Sequence, residues 1–66
     1  MPKISVNGKE NEVSESHTVN DILTELQIKG SMFVVEKNLE IIPKDQYDFT
    51  VKDGDSFEVV GLFGGG

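Results

Sequence analysis

The sequence has no cysteine. That excludes a disulfide scaffold, a thiolate nucleophile, a cysteine-ligated zinc site and an iron–sulfur cluster. It has no arginine either, and its six lysines stand against twelve acidic residues, for a net charge of −6. A chain of this sign has little with which to displace counterions, so nucleic-acid binding is not expected. Long apolar runs are missing too. Nothing approaches the ~20 residues of a membrane span, and no N-terminal stretch has the basic-then-apolar form of a signal peptide. The expectation is a cytoplasmic protein that engages no membrane. Length sets a further bound. A chain of 66 residues buries roughly 60% of the surface its unfolded form exposes. Its net stability is about 3–5 kcal/mol. This fits one domain over residues 1–66 and leaves little room for both a packed core and an enclosed catalytic cleft. A binding or carrier module is expected, not an autonomous enzyme. The acidity serves solubility or speeds the approach of a basic partner.

What the sequence does have is glycine, concentrated at one place. Gly64, Gly65 and Gly66 close it, directly after the apolar Leu62 and Phe63. A thread without side chains enters a channel too narrow for any other residue, and glycine bends where other residues cannot. Termini are also where disorder collects. The tail by itself therefore leaves two readings open: a frayed end, or a carboxylate that reacts inside another protein's active site. Leu62 and Phe63 divide in the same way, between completing the core and anchoring a partner.

Ahead of the tail, the pattern is that of a small mixed domain. Residues 3–6 are strand-like, with Ile4 and Val6 on one face. Asn7-Gly8 is a strong hairpin signal, because both turn positions favour positive φ. Residues 10–13 return as a second strand whose one apolar residue, Val13, places it at an edge. A polar loop leads to Thr18, which reads as a helix N-cap with Asp21 as its capping-box partner. Val19, Ile22, Leu23 and Leu26 form one helical stripe. Gly30 is the expected stop, which makes a helix of about three turns. Residues 32–35 and 41–42 are short apolar strands, the second ended by Pro43. Residues 44–48 read as a turn that brings Tyr47 over the core. Asp53-Gly54-Asp55 is a tight turn, and residues 57–60 are the last strand. One helix must cover one face of a mixed sheet of four to five strands, with the first strand beside the last. This is the α+β β-grasp, or ubiquitin-like, architecture, with residues 61–66 as a flexible C-terminal tail.

Other chemistry finds little support. His17, the single histidine, reads as an exposed loop residue with too few partners for zinc. Asp45, Asp48, Asp53 and Asp55 do not reproduce a calcium loop, and turn chemistry explains them. No serine has a histidine placed to activate it. No helix follows Gly61 to make a phosphate loop of the closing glycines.

These residues carry a resemblance. In order, the chain has Val6-Asn7-Gly8-Lys9-Glu10, Thr18-Val19 with Leu23 and Leu26, Val34-Val35-Glu36-Lys37-Asn38, Glu40-Ile41-Ile42-Pro43-Lys44, Asp53-Gly54-Asp55, Phe57-Glu58-Val59-Val60 and the closing diglycine. As a set they resemble the ThiS-type sulfur carriers of thiamine biosynthesis over essentially the whole chain. The resemblance implies a cycle at Gly66. A ThiF-like adenylyltransferase, using ATP and magnesium, activates the Gly66 carboxylate. Sulfur displaces AMP to leave a thiocarboxylate, and a ThiG-like thiazole synthase takes up the sulfur. Gly64 and Gly65 are the thread, Leu62 and Phe63 the partner contacts. The chain itself binds no cofactor or metal, and it is a monomer when free. Asn11 departs from the pattern where an apolar residue is usual, Lys44 stands for a frequent arginine, Tyr47 for a tryptophan and Gly61 for a histidine. The alternatives are a MoaD-like carrier for molybdopterin or another sulfur pathway, a ubiquitin-like protein modifier, and a plain interaction domain.

Overall fold

The computed structural model describes residues 1–28 and 32–61. Strands β1 (Lys3–Val6) and β2 (Lys9–Glu12) form the first hairpin. Asn7 and Gly8 turn it with φ values of 52 and 83°, the primed geometry whose twist matches the strands. Helix α1 (Val19–Glu25) follows, then β3 (Phe33–Lys37), β4 (Glu40–Ile41), a 3₁₀ turn (Lys44–Gln46) and β5 (Ser56–Gly61). The sheet order is β2-β1-β5-β3-β4. β1 and β5 run parallel, and the other pairs antiparallel. The expected mixed sheet with one covering helix is therefore present, with five strands and the first strand beside the last. β2 lies at the edge, as its thin apolar content predicts.

One face of the sheet meets the helix. Ile4, Val35 and Phe57 are almost wholly buried at its centre, ringed by Val13, Val19, Ile22, Leu23, Phe33, Ile42, Tyr47 and Val51. Tyr47 closes the core as expected. Its ring stacks on Phe33 with centroids 6.3 Å apart, while Lys44 Nζ sits 5.6 Å from the centre of the Phe33 ring. Burial raises the Tyr47 phenol above its ordinary range.

The helix starts as read and stops earlier. Asp21 N–H donates to Thr18 Oγ1 at 3.2 Å, and Thr18 N–H donates to Asp21 Oδ2 at 3.0 Å, a closed capping box. Only seven residues are helical, however. Leu26 is the C-cap and Gln27 takes φ 60°. Gln27 N–H then donates to Thr24 O, and Ile28 N–H to Leu23 O, both at 3.0 Å. This Schellman closure satisfies the last carbonyls with glutamine in the left-handed position that glycine usually takes. Leu26, assigned to the buried stripe, is consequently 40% exposed. Gly30, the expected stop, lies outside the described residues.

Two further expectations shift. Met32 precedes β3 and is exposed. β5 extends through Gly61, which pairs with Phe33, so the residue taken as the start of the tail belongs to the strand.

The β3–β4 turn supplies a test of local strain. Asn38 and Leu39 occupy φ 52 and 74°, and Leu39 is 91% exposed. The left-handed region costs a residue with a Cβ roughly 1–2 kcal/mol. Leu39→Gly makes the turn Asn-Gly, like the first hairpin, and removes no buried contact. It is expected to stabilise the protein by about 1 kcal/mol, raising the midpoint of thermal unfolding by roughly 4–8 °C. A calorimetric midpoint at or below wild type would contradict this.

Candidate functional site

The candidate reacting group and its thread, Gly66, Gly65 and Gly64, lie outside the described residues, as do the candidate partner contacts Leu62 and Phe63. The described structure shows how the chain is delivered to them. β5 is the middle strand, paired with β1 on one side and β3 on the other. Phe57 anchors it in the core, and Val59 packs against the same cluster. Pairing with β3 continues from Lys37↔Phe57 to Phe33↔Gly61. The segment that leads to the glycines is thus among the most firmly held in the domain.

The sheet face away from the helix is open. Cross-strand partners share a face, so Val34 and Val60, Glu36 and Glu58, Glu36 and Ile41, and Ser5 and Ser56 stand together on it. Val60 and Ile41 are exposed, at 44% and 65%. Glu36 directly opposite Glu58 is a like-charge pair, which is unfavourable in isolation and favourable to a cation placed between them. Apolar side chains and a cross-strand acidic pair therefore lie on the face that includes the strand running to Gly61.

Elsewhere the polar residues serve the fold. Asp53 Oδ1 accepts from Lys3 N–H at 2.8 Å, and Asp55 Oδ2 from Lys52 N–H at 2.9 Å. Asp55 Oδ1 accepts from Asn38 Nδ2 at 3.3 Å, and Asp48 accepts from the Asn20 amide. Asp55 thus serves its own turn, as read, while Asp53, Asp48 and the second Asp55 oxygen tie distant segments together. Among the described residues no cluster of three metal-ligating side chains occurs. No helix among them is long and apolar enough to cross a membrane.

His17 departs from expectation. Its side chain is only 11% exposed, and its Nε2 lies 3.3 Å from Glu25 Oε1, shielded from solvent and without hydrogen-bond geometry. The loop is tied down by its main chain. His17 N–H donates to Ser14 O at 3.1 Å, and Val51 N–H donates to His17 O at 2.9 Å. The ring is thereby held against the domain instead of projecting from it.

A hollow of about 320 Å³ opens between β2 and α1, lined in part by Val6, Asn11, Val13, Ile22 and Leu26. Asn11 pairs with Ile4 across the hairpin and so faces the helix side. The amide stands where an apolar side chain would help close that gap. No catalytic constellation lines it.

The residue that sequence reasoning missed is Asn7. It was read as a turn former alone, yet its Oδ1 accepts from Val59 N–H at 2.8 Å. The pairing of β1 with β5 was foreseeable; the step of this bond onto the strand leading to the glycines was not.

The chain matches the model of the ThiS family over residues 3–66. The sulfur carrier protein ThiS of Bacillus subtilis (strain 168) is 34% identical over 65 residues, which is 96% of this chain and 98% of that protein. A thiazole synthase of Paramagnetospirillum magneticum (strain ATCC 700264 / AMB-1) is 45% identical over 65 residues, 97% of this chain but only 20% of that protein. The chain thus spans about a fifth of that relative's length. The crystal structure of a thiamine biosynthesis protein (ThiS) from Geobacter metallireducens is similar with a TM-score of 0.74 at 37% identity, over 97% of this chain and 99% of that one. A solution structure of a thiamine biosynthesis protein from the same organism gives 0.72 at 37% identity, over 97% and 87%.

Proposed function

The chain belongs to the ThiS family of β-grasp sulfur carriers of thiamine biosynthesis, and from that premise we propose that the Gly66 carboxylate carries the sulfur that enters the thiazole ring. The observation that carries the reading is the match to a sulfur carrier along 98% of that carrier's length, on a body whose described residues hold no catalytic cluster.

The chemistry follows from the carboxylate. It is a poor acyl electrophile, because it resists attack and has no good leaving group. In the proposed cycle one of its oxygens attacks the α-phosphorus of ATP on a ThiF-like adenylyltransferase, and pyrophosphate leaves. Magnesium on that enzyme neutralises the phosphate charge. A sulfur nucleophile then attacks the acyl carbon and expels AMP. The thiocarboxylate is a nucleophilic sulfur held on a protein instead of free in solution. A ThiG-like thiazole synthase consumes it. A thiazole synthase with a segment 45% identical to this chain supports a carrier working beside that enzyme. In this cycle the chain is substrate and donor, not enzyme. It is a cytoplasmic monomer when free and binds no cofactor of its own.

Threading has a cost that the body must offset. Ordering about five tail residues costs roughly 5–10 kcal/mol. A body contact of the standard size, about 800 Å² per partner, can compensate. The open face around Val34, Val60 and Ile41 adjoins β5, and its Glu36–Glu58 pair favours a partner with a basic residue at that point.

Intact mass spectrometry tests the proposal directly. Protein ending at an unmodified Gly66 is incubated with a ThiF-like enzyme, ATP, magnesium and sulfide. The expected product is heavier by the difference between one sulfur and one oxygen atom, and only when ATP is present. No such species under conditions in which the enzyme adenylates its own carrier would refute the carrier reading.

A further inference from the structure

The bonds between β1 and β5 step along the chain by two. Ser5 N–H donates to Asp55 O at 3.0 Å, and Asn7 N–H donates to Phe57 O at 2.9 Å. In a parallel ladder the next rung joins Val59 N–H to the main-chain carbonyl of residue 7. Here the backbone leaves the strand, because Asn7 is left-handed and opens the turn to Gly8. The rung is made all the same, by the side chain: Val59 N–H donates to Asn7 Oδ1 at 2.8 Å. Alternate residues of a strand direct their main-chain groups to the same side. The next such residue after Val59 is Gly61, and β1 no longer runs beside it.

We propose that Asn7 is a positioning residue for the reaction at the C-terminal glycines. It clamps β5 at Val59 on the side where β1 gives out, and so fixes the course of the strand up to Gly61, the last described residue before the glycines. The proposal rests on the carrier reading above. Asparagine meets two demands at once, a tolerance of positive φ and a side-chain acceptor within reach. Glycine meets only the first, and aspartate meets both. With the clamp gone, β3 alone directs the end of β5, and the glycines start from a wider spread of positions. The fraction able to enter a partner's channel falls, and apparent affinity falls with it. Once bound, the reacting carboxylate is unchanged.

Asn7→Gly and Asn7→Asp, made in the full chain, separate this role from a merely structural one. Amide hydrogen exchange is followed by NMR, and steady-state adenylation is measured with ATP, magnesium and a ThiF-like enzyme. Asn7→Gly is expected to speed exchange at Val59 about fivefold more than at Ile4 and Val35, the factor given by one hydrogen bond of ordinary strength. The KM for the carrier is expected to rise by about the same factor while kcat holds. Asn7→Asp is expected to restore both. Equal acceleration at all three amides, or an unchanged KM, would overturn the proposal. A wild-type chain that is not adenylated would overturn the carrier reading and the positioning role with it, whereas the exchange data would still report the clamp itself.

Discussion

A chain lacking Gly65 and Gly66 is expected to melt at the wild-type temperature and to form no detectable thiocarboxylate. The truncation removes none of the described contacts: among the described residues the buried cluster runs from Ile4 to Phe57 and sheet pairing runs to Gly61. Changes away from such features alter stability by no more than about 0.5 kcal/mol. The chemistry loses its geometry. Two extended residues span about 7 Å, and a misplacement of only 1 Å can lower a rate by roughly a hundredfold. In the proposed cycle the shortened carboxylate would stop well short of the partner's adenylating centre. Mass spectrometry and a thermal melt on the same preparation check both halves. Thiocarboxylate on the truncated chain at the wild-type rate would remove Gly66 from its proposed role. A lowered melting temperature would instead mean that the glycines belong to the folded body.

Phe57→Ala is expected to leave most of the protein unfolded at 25 °C. Phe57 is 1% exposed, near the start of the central strand β5. Deleting a buried phenylalanine side chain costs about 3–5 kcal/mol, as much as the whole net stability of a domain this small. The circular-dichroism signal of the variant should show no cooperative transition in urea. Val60→Ala, on the same strand and 44% exposed, serves as the control. It should unfold cooperatively, within about 0.5 kcal/mol of wild type. A Phe57→Ala variant with a wild-type midpoint would mean that the core is not centred where the structure puts it.

The contrast between these two variants reflects what could be read from the sequence. Local chemistry with a single solution was legible. Asn7-Gly8 could hardly be anything but a hairpin turn, and Thr18 with Asp21 announces a helix start. Ile4 follows from alternation in the first strand, whereas the unbroken apolar run at 32–35 does not say which of its residues face the core. The end of the helix was not legible, since the nearest glycine is Gly30 while the chain closes at Gln27, a residue with no special liking for the left-handed region. Local main-chain bonds from Gln27 and Ile28 back to Thr24 and Leu23 close the helix there, and they leave no mark in the residue types. The strain at Leu39 was hidden for the same reason. His17 was misjudged as exposed because loop membership says nothing about which way a ring is laid by main-chain bonds to Ser14 and Val51. For the candidate site, the glycines were conspicuous as residue types. The support beneath them was not, because Asn7 and Val59 are far apart in sequence and adjacent only through the parallel pairing of β1 with β5.

That pairing also governs when the domain can come into being. Among the described residues, the strand at the middle of the sheet is the last to be synthesised. Until it has emerged from the ribosome, β1 and β3 have no common neighbour and the helix has no complete surface to cover. Contacts between distant parts of a chain form late and set the pace of folding. A nascent chain stalled short of β5 therefore exposes its apolar strands and is open to aggregation or proteolysis. Quality control is built into the order of the strands, since only a chain read through to the threshold of its glycines can assemble the body that presents them.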